Sequence, residues 1–432
     1  MLTASPVRAA GGAPRNVRSM DFEFPAEDDD RRVAVREWLA AHPSPSGREL
    51  AEAGYVTPHW PRPWGLDADP IHQIVIDDEL GKAGVRRPSN PIGIGWAGPT
   101  ILHAGTKEQK DRYLWPILSG EEFWCQLFSE PGSGSDLASL ATRAVRDGDE
   151  FVVNGQKIWT SGAQYAKYGI LIARTDPDLP KHKGISYFVC PMDAAGIEIR
   201  PITEMTGGHT FNEVFFTDVR IPAENLVGDL NDGWRLAKVT LGNERISLSS
   251  GGVLWGAGPT ALDLLAAVRA DGPVTDPTLR QRLAQVYVEH TVLELIRMRT
   301  VSARLKGEQP GPEASIRKLL GDEHGQHVME LARDLVGAAG MLTGGDGTVR
   351  SGGADFTPGT DTTSLAPSRP ARALDHAGWY DGFIFSRALT IGGGTGEVQR
   401  NIVAERVLGL PHDVDVQQGL SWREAQKTAA RT

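Results

Sequence analysis

Cysteine is almost missing from this chain: Cys125 and Cys190 are two among 432 residues. Two cysteines exclude a disulfide framework and a cysteine-based zinc site. No metal site is expected, and the low thiol count suits a cytoplasmic location. No apolar run approaches the roughly 18 residues of a membrane span, so stable membrane insertion is not expected. Positive charge is also in deficit, with 45 Lys and Arg against 55 Asp and Glu and a formal net charge of −10. That balance argues against nucleic acid or an anionic membrane as the main partner.

What is present is ordinary for a folded protein, with 40% apolar and 23% charged residues. The length implies two or three domains or layers, each with its own core. Residues 1–20 carry three arginines, no acid and no apolar stretch, and they read as a flexible leader.

Residues 21–124 read as an α-helical domain. Helices are expected at 31–41, at 71–83 and at 107–118, with Thr106 as the N-cap of the last. Three prolines between Pro58 and Trp64 force a loop. Residues 125–232 read as a β-domain, a small barrel or sandwich, with short strands at 150–153, 157–160, 169–173, 185–190, 197–201 and 214–219. Asp147-Gly148 and Asn154-Gly155 are read as tight turns. Residues 233–415 return to helices, expected at 234–250, 259–268, 277–306, 313–336, 379–389 and 398–407. Within them 343–371, rich in Gly, Thr, Ser and Pro, reads as a long loop, and 416–432 as a tail.

Chemistry concentrates in LFSEPGSGSD, from Leu127 to Asp136, and KIWTSG, from Lys157 to Gly162, joined by a β-hairpin. The first offers hydroxyls, a Pro-Gly turn and unhindered backbone N–H groups. The second offers an indole followed by two hydroxyls. The pair suits a flat, electron-poor ring, held on its face by stacking and on its edge by hydrogen bonds. The glycines lack the strand–turn–helix spacing of a dinucleotide fingerprint.

Four segments in this order carry a resemblance: SEPGSGSD at 129–136, NGQKIWTSG at 154–162, FNEVFFTDVRIPAENLVG at 211–228 and GGGTGEVQRNIVAERVLGLP at 392–411. The chain resembles the acyl-CoA dehydrogenase family from about residue 22 to 411. The resemblance implies an N-terminal α-helical domain, a central β-barrel or sandwich and a C-terminal four-helix bundle. It implies FAD as cofactor, an acyl-CoA substrate and an electron-transfer flavoprotein as acceptor. It also implies assembly as a homodimer, a homotetramer or a heterotetramer with a related subunit.

By the same resemblance Gln126, Phe128, Ser129, Gly134 and Ser135 line the flavin, with Ser129 bonding the ring. Trp159 packs beside it, Thr160 and Ser161 approach its reactive nitrogen, and Thr395 and Glu397 touch the cofactor from the C-terminal segment. Ser135, Asn243 and Arg245 match positions near the thioester arm; Arg245 pairs with a phosphate or with a structural carboxylate.

Oxidation to a 2,3-enoyl thioester requires a carboxylate to take the α-proton as a hydride leaves the β-carbon. Many relatives carry that glutamate just before the Gly-Thr of the C-terminal motif, where this chain has Gly393. A minority carry it on the first bundle helix before an arginine, and Glu244-Arg245 stands there. Glu244 is the expected base, on a helical face with Thr240, Ser247 and Leu248. The glycines at 392–394 are read as opening space for a bulkier acyl group. His209 is read as an exposed loop residue.

Two departures bear on the flavin pyrophosphate. An Arg-Lys-X-Phe-Gly segment of many relatives is replaced by Arg269-Ala270-Asp271-Gly272-Pro273, and a later glutamine contact reads Asp334-Leu335-Val336-Gly337-Ala338. Three readings follow: an acyl-CoA dehydrogenase; a flavin oxidase, oxygenase or acyl-carrier-protein dehydrogenase on the same fold; or a half-site subunit that completes a partner's flavin site.

Overall fold

Helices α1 (Asp30–Ala41), α2 (Gly47–Glu52), α3 (Pro70–Lys82), α4 (Gly98–Ala104) and α5 (Lys107–Ser119) come first. Their starts follow from local chemistry: the side chains of Asp29 and Asp69 cap α1 and α3, and Thr106 and Gln109 form a reciprocal capping box on α5. Helix α2 was not anticipated, because six residues are too few to display a helical period. The computed structural model describes residues 25–248, 253–255, 258–305, 311–338, 377–414 and 417–429. The expected leader at 1–20 and the expected loop at 343–371 lie outside them.

Strands β1 (Trp124–Leu127), β2 (Arg143–Asp147), β3 (Glu150–Ser161), β4 (Tyr168–Arg174), β5 (Ile185–Pro191), β6 (Ile197–Pro201), β7 (Phe211–Pro222) and β8 (Leu226–Val227) form one sheet. Its order is β6-β7-β3-β2-β4-β5-β8, with β1 joined in parallel to β4. The β2–β3 hairpin turns at Gly148 and Asp149, closed by the Asp147–Glu150 pair, so the Asp147-Gly148 signal marks a real reversal. Asn154-Gly155 is not a turn: β3 runs through it, and the β3–β7 ladder shifts register there. The reason is a close approach, since a Cβ on Gly155 would lie 2.7 Å from the Thr142 backbone. Glycine serves the bulge rather than a reversal.

Helices α6 (Gly233–Leu248), α7 (Ala261–Asp271), α8 (Pro277–Leu305), α9 (Ala314–Val336), α10 (Ala377–Phe385) and α11 (Gly396–Ile402) build the bundle. Its core includes Leu254, Leu264, Val286, Val328, Met329 and Trp379. The helix expected through 389 ends its α-turns at Phe385 and continues as a tighter turn to Ala388. A last helix, α12 (Trp422–Ala429), was not anticipated.

The first helices and one face of the sheet share a core that contains Trp124, Ile170, Tyr187 and Leu236. Leu236 belongs to α6, so this core seats the first bundle helix against β4 and β5. Among the described residues, no helix is long and apolar enough to cross a membrane, and no cluster of three His, Cys, Asp or Glu suits a metal.

Candidate active site

The loop after β1 is tied down from beneath. The Ile158 N–H donates to the Ser129 carbonyl at 2.9 Å, and Glu130 and Ser133 exchange backbone bonds of 3.1 and 3.0 Å. Lys157 is wholly buried, with Nζ 2.9 Å from the Phe128 carbonyl and 2.8 Å from Glu130 Oε1. The Glu130 carboxylate also accepts from Ala141 N at 2.6 Å and Thr142 N at 2.9 Å. Burial pushes the Glu130 pKa up, but attraction to Lys157 and these donors outweigh it and hold the carboxyl below its usual range. Above this anchor the loop is open. A Cβ on Gly132 or Gly134 would meet nothing within 4 Å, and Ser135 is exposed. Phe128 is buried edge-on against Tyr187.

Across the loop, the β3–β7 ladder breaks register between Lys157 and Thr160. Trp159 stands in that break at φ +60, the left-handed region, which costs an L-residue roughly 1–2 kcal/mol. The residue is 57% exposed, and its ring rests edge-on against Phe211 at 6.0 Å. Thr160 is fully buried, and its Oγ1 has no hydrogen-bond partner. Its carbonyl accepts from Asn212 Nδ2 at 3.0 Å, which fixes the bulge, and Ser161 pairs with Phe211. An exposed indole, an unsatisfied buried hydroxyl and an open glycine shelf are the donor set for a flat ring with a polar edge. The residues present therefore fit the flavin of FAD.

Glu244 reaches this region from α6. It is 8% exposed, and Gln126 Nε2 on β1 lies 3.4 Å from its Oε2, across 118 residues of sequence. The carboxylate is thus buried rather than solvated. One turn earlier Thr240 hydrogen-bonds Thr100 Oγ1 at 2.8 Å and the Tyr187 hydroxyl at 3.0 Å. These hydroxyls fasten α6 to α4 and β5 and fix the height of Glu244 above β1. Asn243 Nδ2 bonds back to the Val239 carbonyl at 3.0 Å, so its amide serves its own helix. The side chains of Arg245, Ser247 and Leu248 lie outside the described residues.

Other expected residues sit elsewhere. Thr395 caps α11 by accepting from Val398 N at 3.2 Å, and the Glu397 side chain is 81% exposed beside Arg400. The described contacts of both are with their own helix. Gly393 and Gly394 adopt φ +64 and +89, in the region that favours glycine. Gly392 does not open space: a Cβ there would lie 2.5 Å from the Trp255 ring. The indole has taken the room a side chain would need. Asp334 is held by Arg282 at 2.6 Å and Arg333 at 2.9 Å. His209 is exposed, as read.

The sequence reading missed the Lys157–Glu130 pair and the Thr100–Thr240–Tyr187 hydroxyl chain. Lys157 did leave a signal, since it falls on the same alternating face of the strand as the apolar Phe151 and Val153. The hydroxyl chain left none, because its members are far apart in sequence.

Residues 26–121, 125–219 and 231–408 match the N-terminal, middle and C-terminal domains of acyl-CoA dehydrogenases. The chain is 41% identical over 362 residues to the acyl-CoA dehydrogenase FadE34 of Mycobacterium tuberculosis, a match over 84% of this chain and 45% of that protein. It thus spans about half the length of that relative. It is 36% identical to the acyl-CoA dehydrogenase IpdE1 of the same organism, over 85% of this chain and 87% of IpdE1. Among solved structures, the Tcur3481-Tcur3483 steroid ACAD aligns with a TM-score of 0.68 at 32% identity, over 88% of this chain and 97% of that one. The ChsE4-ChsE5 complex from Mycobacterium tuberculosis aligns with a TM-score of 0.68 at 31% identity, over 91% and 100%.

Proposed function

The chain belongs to the acyl-CoA dehydrogenase family, whose members are FAD-dependent oxidoreductases, and on that premise we propose that it converts an acyl-CoA thioester to its 2,3-enoyl form. The observation that carries the proposal is the buried carboxylate of Glu244, within reach of Gln126 beside the open loop. FAD, when bound, supplies the acceptor for the hydride that leaves the β-carbon. Glu244 takes the α-proton onto its carboxylate, and the electron pair left behind becomes the new double bond. Gln126 orients that carboxylate by donating to it. Trp159, Thr160 and Ser161 offer the indole face and hydroxyls that hold the ring, while Ser129 and the Gly134–Ser135 turn border it. Ser135, Asn243 and Arg245 are the proposed neighbours of the thioester arm.

The acyl group is proposed to be steroid-derived or another lipid, on the strength of the steroid ACAD relative. Room for it is not made at Gly392, where Trp255 stands. An electron-transfer flavoprotein is the proposed acceptor.

The test is anaerobic bleaching of the flavin by a panel of acyl-CoAs, steroid side-chain thioesters included. Glu244→Gln is expected to keep the flavin and lose bleaching rate by about 10²–10⁴, the span of one general base. Bleaching at the wild-type rate moves the base elsewhere. Oxygen uptake without an added acceptor supports an oxidase or oxygenase.

The half-site reading rests on the replaced segments at 269–273 and 334–338; at the second, Asp334 is already paired with Arg282 and Arg333, so its own charge decides nothing between the readings. A chain that is colourless alone and yellow with a related subunit supports a shared FAD site.

A further inference from the structure

The matched C-terminal domain ends at residue 408, yet α12 returns to the sheet domain. Trp422 N donates to the Leu179 carbonyl at 2.9 Å, and Arg423 N donates to the Pro177 carbonyl at 3.0 Å. The Trp422 indole N–H donates to the Ser139 carbonyl at 3.1 Å, across 283 residues of sequence. Its ring also covers the Arg174 guanidinium at 5.2 Å.

Arg174 is an unusual residue to cover. It is 3% exposed and holds carbonyls: Ala138 at 2.6 Å, Leu140 at 3.2 Å and Lys181 at 2.8 Å. Its Nε has no hydrogen-bond partner. Burial pushes its pKa down to about 10. A buried cation bonded to neutral carbonyls gains from an aromatic face that excludes water and adds cation–π attraction. The carbonyls at 138–140 belong to the turn that follows Gly134 and Ser135. Ser133 Oγ donates into the same turn, to the Asp136 carbonyl at 3.0 Å. The tail therefore grips, through Ser139 directly and through Arg174 indirectly, the outgoing limb of the open loop.

We propose that α12 is a strap for that loop and that Trp422 is a positioning residue, setting where Ser135 and Gly134 present themselves to the thioester arm. The proposal rests on the reading of Ser135 as a neighbour of that arm. It assigns to the tail a part in thioester affinity rather than in proton transfer, since its contacts lie on the loop and not on Glu244.

The experiment uses the full chain and its Trp422→Ala and Trp422→Phe variants, with two readouts. In hydrogen–deuterium exchange, Trp422→Ala is expected to speed exchange across residues 133–142 about tenfold, as suits one buried hydrogen bond and one cation–π contact. Trp422→Phe, which keeps a ring over Arg174, is expected to recover part of the protection. With bound flavin unchanged, KM for the thioester should rise about tenfold in Trp422→Ala while kcat stays within about twofold. Faster exchange confined to α12 overturns the strap, and so does a loosened loop with an unchanged KM. If no acyl thioester bleaches the wild-type chain, the dehydrogenase reading fails, while the exchange result still decides whether the tail holds the loop.

Discussion

At Trp159 the backbone is strained and the indole exposed, while its neighbour Thr160 is buried with an unpaired hydroxyl. Such a pairing of strain and an unmet hydrogen bond persists only where the surroundings enforce it. Here Asn212 holds the Thr160 carbonyl at 3.0 Å on one side of the break, and on the other Lys157 is locked inside against Glu130. Replacing Lys157 by Met should strand the buried carboxylate and cost about 3–5 kcal/mol in urea unfolding at neutral pH. The pH dependence has a definite sign. Glu130 is held below its ordinary 4.5, so its contribution is present above that value and is lost as pH falls through the lower folded pKa. The gap between wild type and Lys157→Met should therefore narrow on acidification below 4.5, as urea midpoints taken across that window will reveal.

Among whole elements, α9 carries a second buried pair, Lys318 and Asp322, one turn apart at 2.5 Å. Burial pushes the Asp322 pKa up to about 7, against the pull of Lys318. A raised carboxyl favours the folded state while protonated, so its contribution is full below about 3.8 and is lost as pH rises through about 7. Thermal melts of wild type and Asp322→Asn should show the wild type's advantage shrinking between these values; a constant difference would refute the assignment. The pair lies beneath the segment that leads to the glycines, since Lys318 Nζ is 3.4 Å from the Leu389 carbonyl. Elements with their own caps, such as α5 with Thr106, were legible in sequence because capping is local. The β3 bulge at Gly155 was not, since what forbids a side chain there is Thr142 on another strand.

For the molecule as a whole, α8 presents Val288, Val292, Leu295 and Met298 at helical spacing, each more than a third exposed. An apolar stripe of this kind suits a subunit contact through the bundle, in line with the oligomers that the resemblance implies. Leu295→Glu is expected to lower the mass seen by light scattering to that of a smaller species while leaving the helical circular dichroism intact. An unchanged mass removes α8 from the interface. Helix α12 docks on Ser139 and Arg174 through a contact that joins residues 283 apart in sequence, which no local pattern announces.

The helix–sheet–helix order and a loop and indole suited to a flat ring can be read from the chain alone, while Glu244 as base comes from the family resemblance and is a proposal. The order and the loop are legible because capping, alternation and motif spacing act between near neighbours. Packing between distant segments set the rest: Glu244 is buried against Gln126, Lys157 anchors the loop after β1 through Glu130, and Trp255 fills the space beside Gly392. Each of these depends on packing between segments far apart in the chain. Burial and charge pairing, which set what a carboxylate or an indole can do, come into being only when those segments meet.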